Sequence, residues 1–582
     1  MIKAVRANNK SFKTVRFEAG FNVILAERTE KSTDKDSRNG LGKTTLIEVI
    51  HFCLGSTNFE ALEVKELEDW TFSLDMVLGS EDYTVSRNTT NNGNVHIEGN
   101  FSDWEIQPEK ISDDGSGIMK ISSWTKMLGK LAFNLDLDNT DKYYPSFRGI
   151  ISYLIRKGVG GYQDAFRFFP QQKDWSIQTH NAYLLGINHE YAKLFQIIKD
   201  KKKALKDLKN ALSQGLLPSF DGSIGELESE AFALEINLKE LSDEIHSFKV
   251  HPQYYKIQQE ANGYTEHIHQ LTNEYTTSQQ ILNKYQQTIA DEKDVSIEQV
   301  KTVYSEAGLI FDPKLIKKLE EVTQFHEQII VNRKTYLTDE LDRLQNKIDK
   351  LKDDIKNTSD SRSELMQILK THGALDEYSL LQDRINALKQ KINNIRDKVQ
   401  KLKEIEGKES ELAIELEELL KNARKDLEER TEHLKIAVGF FNSNSQFLYS
   451  EPGTLSVDIT RSGYKYKVDI KRATSQGVNY MKVFCYDLAT MQINSTELKR
   501  NWDTLIHDST IFDGVDERQV SKALELAVNE ANEKNFQYIC TLNSDTIPRR
   551  DFSEEFLKKF NSFVRITLKD DTASGGLLGI RY

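Results

Sequence analysis

A heptad pattern fills the middle of this 582-residue chain and constrains its fold more than any other feature. Apolar residues recur with 4-3-4-3 spacing from about residue 190 to about residue 437. Repeats sustained over such a length indicate left-handed coiled coil rather than ordinary core helix. One stretch runs through Leu227, Ala231, Leu234, Leu238, Leu241, Ile245 and Phe248.

Breaks in the pattern predict one antiparallel hairpin. A turn at 308–313 sets the break at 250–252 opposite the break at 371–373, and the two strands of one hairpin should show matched interruptions. The predicted divisions are 1–185 for the N-terminal half of an α/β head, 186–307 for the ascending arm, 308–313 for the apex turn, 314–436 for the descending arm and 437–582 for the C-terminal half of the head. The two globular segments therefore have to fold together.

A glycine-bearing turn ending in Gly-Lys-Thr follows a predicted buried strand at 21–26 and precedes a helical apolar run. This layout is typical of a phosphate-binding loop, in which Lys43 reaches the β- and γ-phosphates and the Thr44 hydroxyl ligates Mg²⁺. Because Ser37 replaces the first glycine of the usual motif, a helix that begins with Gly-Lys-Thr by chance stays an alternative. The predicted phosphate-binding residues are Asn39, Gly40, Gly42, Lys43, Thr44 and Thr45.

Two segments of the C-terminal half can complete such a site. Ser475-Gln476-Gly477 precedes a helical apolar run, so it can receive a phosphate at a helix N-terminus, with an ordinary N-cap as the alternative. The apolar strand at 504–508 ends in Asp508, whose carboxylate is suited to hold the water shell of Mg²⁺ beside Thr44.

The net charge of −12 gives no overall electrostatic drive towards nucleic acid or anionic membrane. DNA contact would need a local patch, and a lysine cluster occurs where the first arm leaves the head. A solvated helix face is the alternative. The predicted DNA-binding residues are Lys199, Lys201, Lys202, Lys203 and Lys206.

Composition also bears on the compartment. The N-terminus lacks the apolar segment of a signal peptide, and no window has about 18 uninterrupted apolar residues. Cys53, Cys485 and Cys540 lie far apart in apolar surroundings, which favours buried thiols over disulfides or a metal cluster. We expect a cytoplasmic protein without a membrane partner.

The arrangement as a whole resembles the SMC-like ATPases, the group that includes RecN and the double-strand-break repair ATPases. Its opening matches theirs: Asn9-Lys10-Ser11-Phe12, a strand, the Gly-Lys-Thr turn, and a helix ending Phe52-Cys53-Leu54-Gly55. More narrowly, Ser475-Gln476-Gly477 and the segments 505–509, 512–519 and 541–545 look like those of SMC-like ATPases from bacterial ABC three-component conflict systems, relatives of the Lamassu defence ATPases.

This resemblance implies an ABC-type head that binds ATP and Mg²⁺ and dimerises, so that Ser475, Gln476 and Gly477 of one copy contact the γ-phosphate held by the other. It also implies binding of double-stranded DNA or DNA ends, and accessory and effector proteins of an antiphage defence complex. An ATP-binding scaffold with little hydrolysis that holds an effector inactive, and a housekeeping repair ATPase, are the alternatives.

One departure from the family concerns the catalytic base. The family has a glutamate after the strand-end aspartate, where this chain has Ser509. Since a serine cannot act as a carboxylate base at neutral pH, we expect hydrolysis that is slow or that depends on Asp513, Asp516 or Glu517. The predicted catalytic residues are Asp508, Glu517 as substitute base, and Asp516, which resembles the aspartate of the family's D-loop.

Two further family positions are assigned by resemblance. The glutamine that follows the first head strands is replaced by Arg148, with Gln163 as a rival. Asn543 stands where many transport ATPases have a histidine that senses the γ-phosphate, and a turn-forming asparagine is the alternative.

Overall fold

The computed structural model describes residues 1–27, 41–113, 115–213, 223–247, 252–291, 313–370, 375–429, 431–471, 475–570, 572 and 574–580. The chain divides into two compact units. The first includes Met1–Asp200 and Glu415–Tyr582, and the second consists of Lys201–Val300 and Glu321–Ile414.

Strands occur only in the first unit among the described residues. They are β1 Ile2–Ala7, β2 Val15–Arg16, β3 Phe21–Glu27, β4 Thr71–Leu78, β5 Glu81–Asn88, β6 Asn94–Glu98, β7 Lys110–Ile111, β8 Gly117–Lys120, β9 Thr454–Thr460, β10 Gly463–Asp469, β11 Thr504–His507, β12 Gln537–Asn543 and β13 Val564–Lys569.

Helices occur in both units. They are α1 Lys43–Cys53, α2 Ile121–Phe133, α3 Phe147–Leu154, α4 Asp174–Leu184, α5 His189–Ser213, α6 Ile224–Ser247, α7 Pro252–Asp291, α8 Pro313–Lys370, α9 Leu375–Glu429, α10 Thr431–Tyr449, α11 Gln476–Ile493, α12 Glu517–Glu533 and α13 Glu554–Phe563.

A parallel sheet in the order β11-β12-β3-β13 is built from both ends of the chain. Its N-terminal member, β3, lies between two C-terminal strands, and the first six of its seven residues are buried. Such near-continuous apolar runs are typical of parallel strands covered on both faces. The predicted α/β head, assembled from the two distant segments with a helical insertion between them, is confirmed.

An antiparallel sheet in the order β2-β1-β4-β5-β6-β8-β7 makes the second layer of strands. Burial alternates along its members, as in β5, where Tyr83, Val85 and Arg87 face inward. This alternation is what a sheet with one covered face requires. The strand-like runs of the sequence at 14–17, 72–78 and 83–87 correspond to β2, β4 and β5.

The side chain of Gln537 links the two sheets. Its amide oxygen accepts from the Ile2 N–H at 2.9 Å and the Thr504 hydroxyl at 3.0 Å, and its amide nitrogen donates to the carbonyls of Ile2 at 2.8 Å and Glu18 at 2.9 Å. Gln537 is 1% exposed, so these bonds form away from water. β1 of the antiparallel sheet is thereby fixed to β12 of the parallel sheet.

β9 and β10 form a hairpin, with Gly463 paired to Thr460. Cys53, Cys485 and Cys540 are buried thiols. Within the part of the chain that the structure describes, no helix has both the length and the apolar composition needed to cross a membrane.

In the second unit, α6 runs antiparallel to α9. Lys403 pairs with Glu228 at 2.6 Å and Arg396 with Glu235 at 2.6 Å, so the residue number falls along α6 as it rises along α9. Between these ion pairs a buried apolar cluster follows the predicted heptad spacing. Its fully buried members are Leu227, Ala231, Ile395 and Val399.

In contrast, α7 runs parallel to α9. The amide of Asn262 donates to the Tyr378 hydroxyl at 3.4 Å, and the amide of Gln390 donates to Asn273 at 2.8 Å. The residue numbers therefore rise together along α7 and α9. Since α6 and α7 have opposite directions relative to the same helix, the chain reverses between them.

This pairing differs from the predicted single hairpin of two continuous arms. The reversal falls at the predicted break near 250–252, where Pro252 begins α7, a position that suits the missing N–H of proline. Residues 248–251 and 371–374 and most of the predicted apex turn at 308–313 lie outside the described residues. The proposed boundaries of the arms stay predictions.

Gln537→Leu is expected to lower the free energy of unfolding by about 3 kcal/mol or more, because it leaves several buried backbone and hydroxyl groups without partners. Chemical denaturation followed by circular dichroism measures this change. The control Gln163→Leu changes an exposed glutamine and should alter stability by less than about 0.5 kcal/mol. Equal effects of the two variants would show that the link between the sheets is energetically unimportant.

Candidate phosphate-binding site

Leu41 and Gly42, directly before α1, are the part of the predicted phosphate-binding loop between β3 and α1 that the structure describes. Gly42 has φ of +90°, a left-handed conformation that favours glycine, and α1 begins directly after it. No side chain caps this end of α1, so its first N–H groups point towards whatever lies in front of the helix. Such an end attracts anions through its N–H groups and its dipole.

Thr44 and Asp508 meet in front of this helix end. The Thr44 hydroxyl donates to Oδ2 of Asp508 at 3.0 Å. The other carboxylate oxygen, Oδ1, accepts from the Ser509 N–H at 2.7 Å and from the Thr541 hydroxyl at 2.8 Å. One oxygen of Asp508 is therefore anchored within the sheet, and the other faces Thr44.

Ser509 and Thr541 thus support Asp508. The Ser509 hydroxyl also lies 3.3 Å from Oδ1 of Asp508, and its N–H is shared with the Thr541 hydroxyl at 2.8 Å. Sequence reasoning missed Thr541. The signal available was a threonine within the largely apolar strand β12, next to the strand that Asp508 follows.

Lys43 extends from the first turn of α1 to the end of β12. Its ammonium donates to Oδ1 of Asn543. The main-chain carbonyl of Asn543 also accepts from the Thr546 N–H at 3.1 Å, so this residue both forms a turn and presents its side chain to the site. Its predicted role as a γ-phosphate sensor stays a prediction.

The residues fit a triphosphate and a hard divalent cation. Hydroxyl and carboxylate oxygens are the ligands that Mg²⁺ prefers, and Thr44 and Asp508 supply one of each within 3.0 Å. The uncapped helix end and Lys43 supply the positive electrostatic environment for phosphate. Thr45 is buried in the same turn, whereas Asn39 and Gly40 lie outside the described residues.

The three acidic candidates for the base occupy different positions. Asp516 caps α12 by accepting from the Arg518 N–H at 3.0 Å, and Glu517 is exposed in the first turn of that helix. Asp513 instead lies within electrostatic range of Asp508 and Lys43. Burial, together with the Asp508 charge, raises the pKa of Asp513, and the Lys43 charge opposes this rise.

The Ser-Gln-Gly segment begins α11, as predicted. The Ser475 hydroxyl accepts from the Val478 N–H at 3.3 Å, and the serine is exposed. A Cβ added to Gly477 would lie 2.5 Å from the Gly514 carbonyl oxygen, so only glycine allows this approach. The start of α11 and the loop before α12 are therefore packed together.

A segment near the C-terminus, 574–580, packs against the phosphate-binding loop. The Leu577 N–H donates to the Leu41 carbonyl at 2.9 Å, and the Leu577 carbonyl accepts from the Lys13 N–H at 2.9 Å. A Cβ on Gly42 would lie 2.7 Å from the Leu577 Cβ. Sequence reasoning missed this contact because nothing local in a glycine-rich tail indicates its partner.

Behind the site, a buried ion pair joins α11 to the segment after α3. The Arg156 guanidinium bonds both carboxylate oxygens of Asp487, at 2.6 and 2.7 Å, and all of these side chains are fully buried. His507 lies 3.2 Å from the same carboxylate, and burial lowers the pKa of His507. The Asp508 N–H donates to the Tyr162 hydroxyl at 2.8 Å.

Neither residue assigned to the family glutamine is bonded to Thr44 or Asp508. The Arg148 guanidinium lies 2.9 Å from Nδ1 of His51, beyond the middle of α1, and it donates to the Leu54 carbonyl at 3.3 Å. Gln163 is exposed at the end of a short 3-10 helix.

The five lysines proposed for DNA lie on α5, and each is exposed. Lys199 pairs with Asp174 at 3.4 Å. Exposure of these lysines is compatible both with DNA binding and with a solvated helix face, so their contact with DNA stays a prediction.

Comparison with known proteins gives one family match and one curated relative. Residues 444–582 match a family model described as an uncharacterised protein conserved in bacteria, DUF2326. The uncharacterized protein YydD of Bacillus subtilis (strain 168) is 22% identical over 389 residues, which make up 64% of this chain and 61% of YydD. The chain thus covers less than two thirds of the length of that relative.

Solved structures with some likeness include the Smc head domain with a coiled coil and joint from Pyrococcus yayanosii, with a TM-score of 0.37, 12% identity, and coverage of 98% of this chain and 94% of that one. A second is the Smc head domain with an extended coiled coil bound to the C-terminal domain of ScpA, from Pyrococcus furiosus. Its TM-score is 0.32 and its identity 11%, and the match covers 94% of this chain and 90% of that one. A third is the recombination mediator protein RecF with ATP. Its TM-score is 0.27 and its identity 11%, and the match covers 93% of this chain and 92% of that one. Since all three TM-scores are below 0.5, the functional proposal rests on the geometry of the site.

Leu577→Ala is expected to lower the free energy of unfolding by about 2–5 kcal/mol and to weaken binding of a fluorescent ATP analogue, because it removes a buried contact of the phosphate-binding loop. Thermal melting and fluorescence titration measure the two effects. Leu557→Ala, which truncates a leucine that is 42% exposed on α13, is the matched control. Unchanged nucleotide affinity in folded Leu577→Ala would contradict a role of the tail in shaping the loop.

Proposed function

We propose that this protein binds and hydrolyses ATP with Mg²⁺. The observation that carries the proposal is the Thr44–Asp508 hydrogen bond in front of the uncapped end of α1. Residues that are 464 positions apart are brought together there with the hydroxyl and carboxylate chemistry of a magnesium site.

Each residue has a stated role in this proposal. The N–H groups at the start of α1 bind phosphate oxygens, and Lys43 leaves Asn543 to neutralise the β- and γ-phosphates. Thr44 and Asp508 hold the cation, and Thr541 and Ser509 keep the Asp508 carboxylate oriented. Bound Mg²⁺ supplies Lewis-acid stabilisation of the charge that develops on the phosphoryl oxygens.

Asp513 is proposed as the base in place of Glu517. Its carboxylate interacts with Asp508 and Lys43, whereas Glu517 lies in the first turn of α12 and Asp516 is engaged as the helix cap. All three residues are exposed. A raised pKa suits a general base, because the carboxylate then accepts a proton more readily.

A second copy of the chain is proposed to complete the site. Ser475 and Gln476 are exposed at the start of α11, where a helix N-terminus is available to a phosphate held by another molecule. Together with the resemblance to SMC-like ATPases, this exposure supports ATP-dependent dimerisation of heads.

The proposed biological role is DNA sensing in an antiphage defence complex with accessory and effector proteins. Exposed Lys199, Lys201, Lys202, Lys203 and Lys206 support binding to the DNA backbone without base recognition. The defence setting rests on the resemblance of the segments around Ser475, Asp508 and Asn543 alone.

Ser509 favours a second candidate, an ATP-binding switch with little turnover. Its N–H and hydroxyl both contact Oδ1 of Asp508, so the residue orients the metal ligand and supplies no carboxylate. Such a scaffold would bind ATP with the same residues and change conformation without hydrolysis.

Lys43→Ala and Asp508→Asn are each expected to reduce steady-state ATP turnover by about 100-fold or more, because each removes charge that stabilises the transferring phosphoryl group. Phosphate release measures turnover, with Lys110→Ala on the exposed edge strand β7 as the control. A wild-type rate no higher than that of Lys43→Ala would refute hydrolysis. If the wild type still bound the analogue and Lys43→Ala did not, the switch would be the better account.

Asp513→Asn is expected to lower turnover by about 100-fold while changing affinity for the non-hydrolysable analogue by less than about twofold, because the base acts on the reaction rather than on binding. Glu517→Gln, the matched control, should keep its rate within about twofold of wild type. The opposite ranking of the two variants would assign the base to Glu517.

A further inference from the structure

The segment that follows α3 runs along α1 towards its phosphate-binding end. Nε2 of His51 lies 2.9 Å from the carbonyl oxygen of Ile155, and two residues later the Lys157 ammonium lies 3.5 Å from Oε1 of Glu48. The contacts thus pass from His51 to Glu48 along one face of α1. The next position on that face, one turn nearer the start of the helix, is Thr44.

Strand register gives the same placement independently. Ile155 forms a parallel bridge with Ile506 of β11. Continued for two residues along each segment, this register puts Lys157 level with Asp508, the proposed metal ligand that directly follows β11. Lys157 is therefore adjacent both to the helix that carries Thr44 and to the strand that leads to Asp508.

The neighbouring Arg156 fixes the backbone from which Lys157 extends. Its guanidinium makes the bidentate buried pair with Asp487, and it donates further bonds to the carbonyls of Gly161 at 2.7 Å and Ala165 at 2.5 Å. A side chain held by this many partners leaves the adjacent backbone little freedom. Lys157 is thereby preorganised, while its own side chain remains 35% exposed.

We propose that Lys157 is a second cationic ligand for the terminal phosphate of the bound nucleotide, held in position by Glu48. This inference rests on the proposed nucleotide site. An ammonium has three donors, and Glu48 uses one of them, which leaves donors for a phosphate oxygen. One turn of α1 spans about 5.4 Å, a shift within the range of the flexible lysine stem.

Glu48 has a physical reason to be part of this arrangement. Its side chain is 8% exposed, and a nearly buried carboxylate needs a compensating positive charge. In turn it offsets the repulsion that Lys157 would feel beside a divalent cation. Glu60 belongs to the same group, and its burial, with the Glu48 charge, raises the pKa of Glu60 to about 7.

The position of Lys157 relative to Asp508 decides which phosphate its ammonium contacts. The inner phosphates are expected at the loop backbone, and Lys43 at the β- and γ-phosphates, whereas a cation level with the end of β11 faces the outermost phosphate alone. Lys157 therefore adds a contact that a triphosphate can make and a diphosphate cannot.

The test is affinity for a fluorescent non-hydrolysable ATP analogue and for fluorescent ADP, titrated with Mg²⁺ present. Lys157→Met is expected to weaken the triphosphate about tenfold and ADP less than about twofold, since a charged hydrogen bond is lost only with the former. Lys157→Arg should retain most of the triphosphate affinity. The control Lys110→Met should leave both affinities unchanged.

Lys157→Met leaves the buried charge of Glu48 without its partner. The Lys157→Met/Glu48→Gln double variant removes that charge as well, and so separates an effect on nucleotide binding from an effect on folding. Persistent loss of triphosphate affinity in the double variant supports the proposal. Restored affinity in it, or equal changes for the two nucleotides in Lys157→Met, would overturn the proposal. Failure of the wild type to bind either nucleotide more tightly than Lys43→Ala does would instead refute the nucleotide site as a whole.

Discussion

The pairing of β3 with β12 and β13 is the constraint on which the rest of the head depends. One strand from the N-terminal segment is inserted between two from the C-terminal segment, so neither half can bury its sheet faces alone. Parallel strands with both faces covered need a core on each side, and the buried residues of α1 and α12 contribute to it. Loss of this pairing would separate Lys43 from Asp508, because the two lie at the ends of elements that only the sheet brings together.

The site itself depends on an asymmetry in one carboxylate. One oxygen of Asp508 is committed to Ser509 and Thr541, and the other faces Thr44. An anchored carboxylate keeps its orientation without a bound cation, so the site is preorganised. Ser509 fits this arrangement, because the serine adds support to the aspartate and supplies no carboxylate of its own.

The segment 155–162 connects the two ends of the site. Arg156 contacts Asp487 on α11, the helix that begins with Ser475, and Lys157 contacts Glu48 on α1. Tyr162 accepts from the Asp508 N–H at 2.8 Å, and its hydroxyl donates to the Arg156 carbonyl at 3.0 Å. A displacement of Lys157 would therefore be transmitted to α11 through buried, charge-assisted bonds, which tolerate little change in geometry.

The sequence alone determined the features that depend on local chemistry and periodicity. It identified a glycine-bearing turn before a helix that begins with Lys43 and Thr44, the strand followed by Asp508, the start of α11 after Ser475, and a head made of two distant segments. Lys157, Thr541 and Leu577 were decided only by tertiary structure, because their partners lie on other elements and no pattern in the chain records those contacts. The direction of α7 was decided in the same way, since a heptad repeat indicates which face of a helix is buried but not which helix covers it.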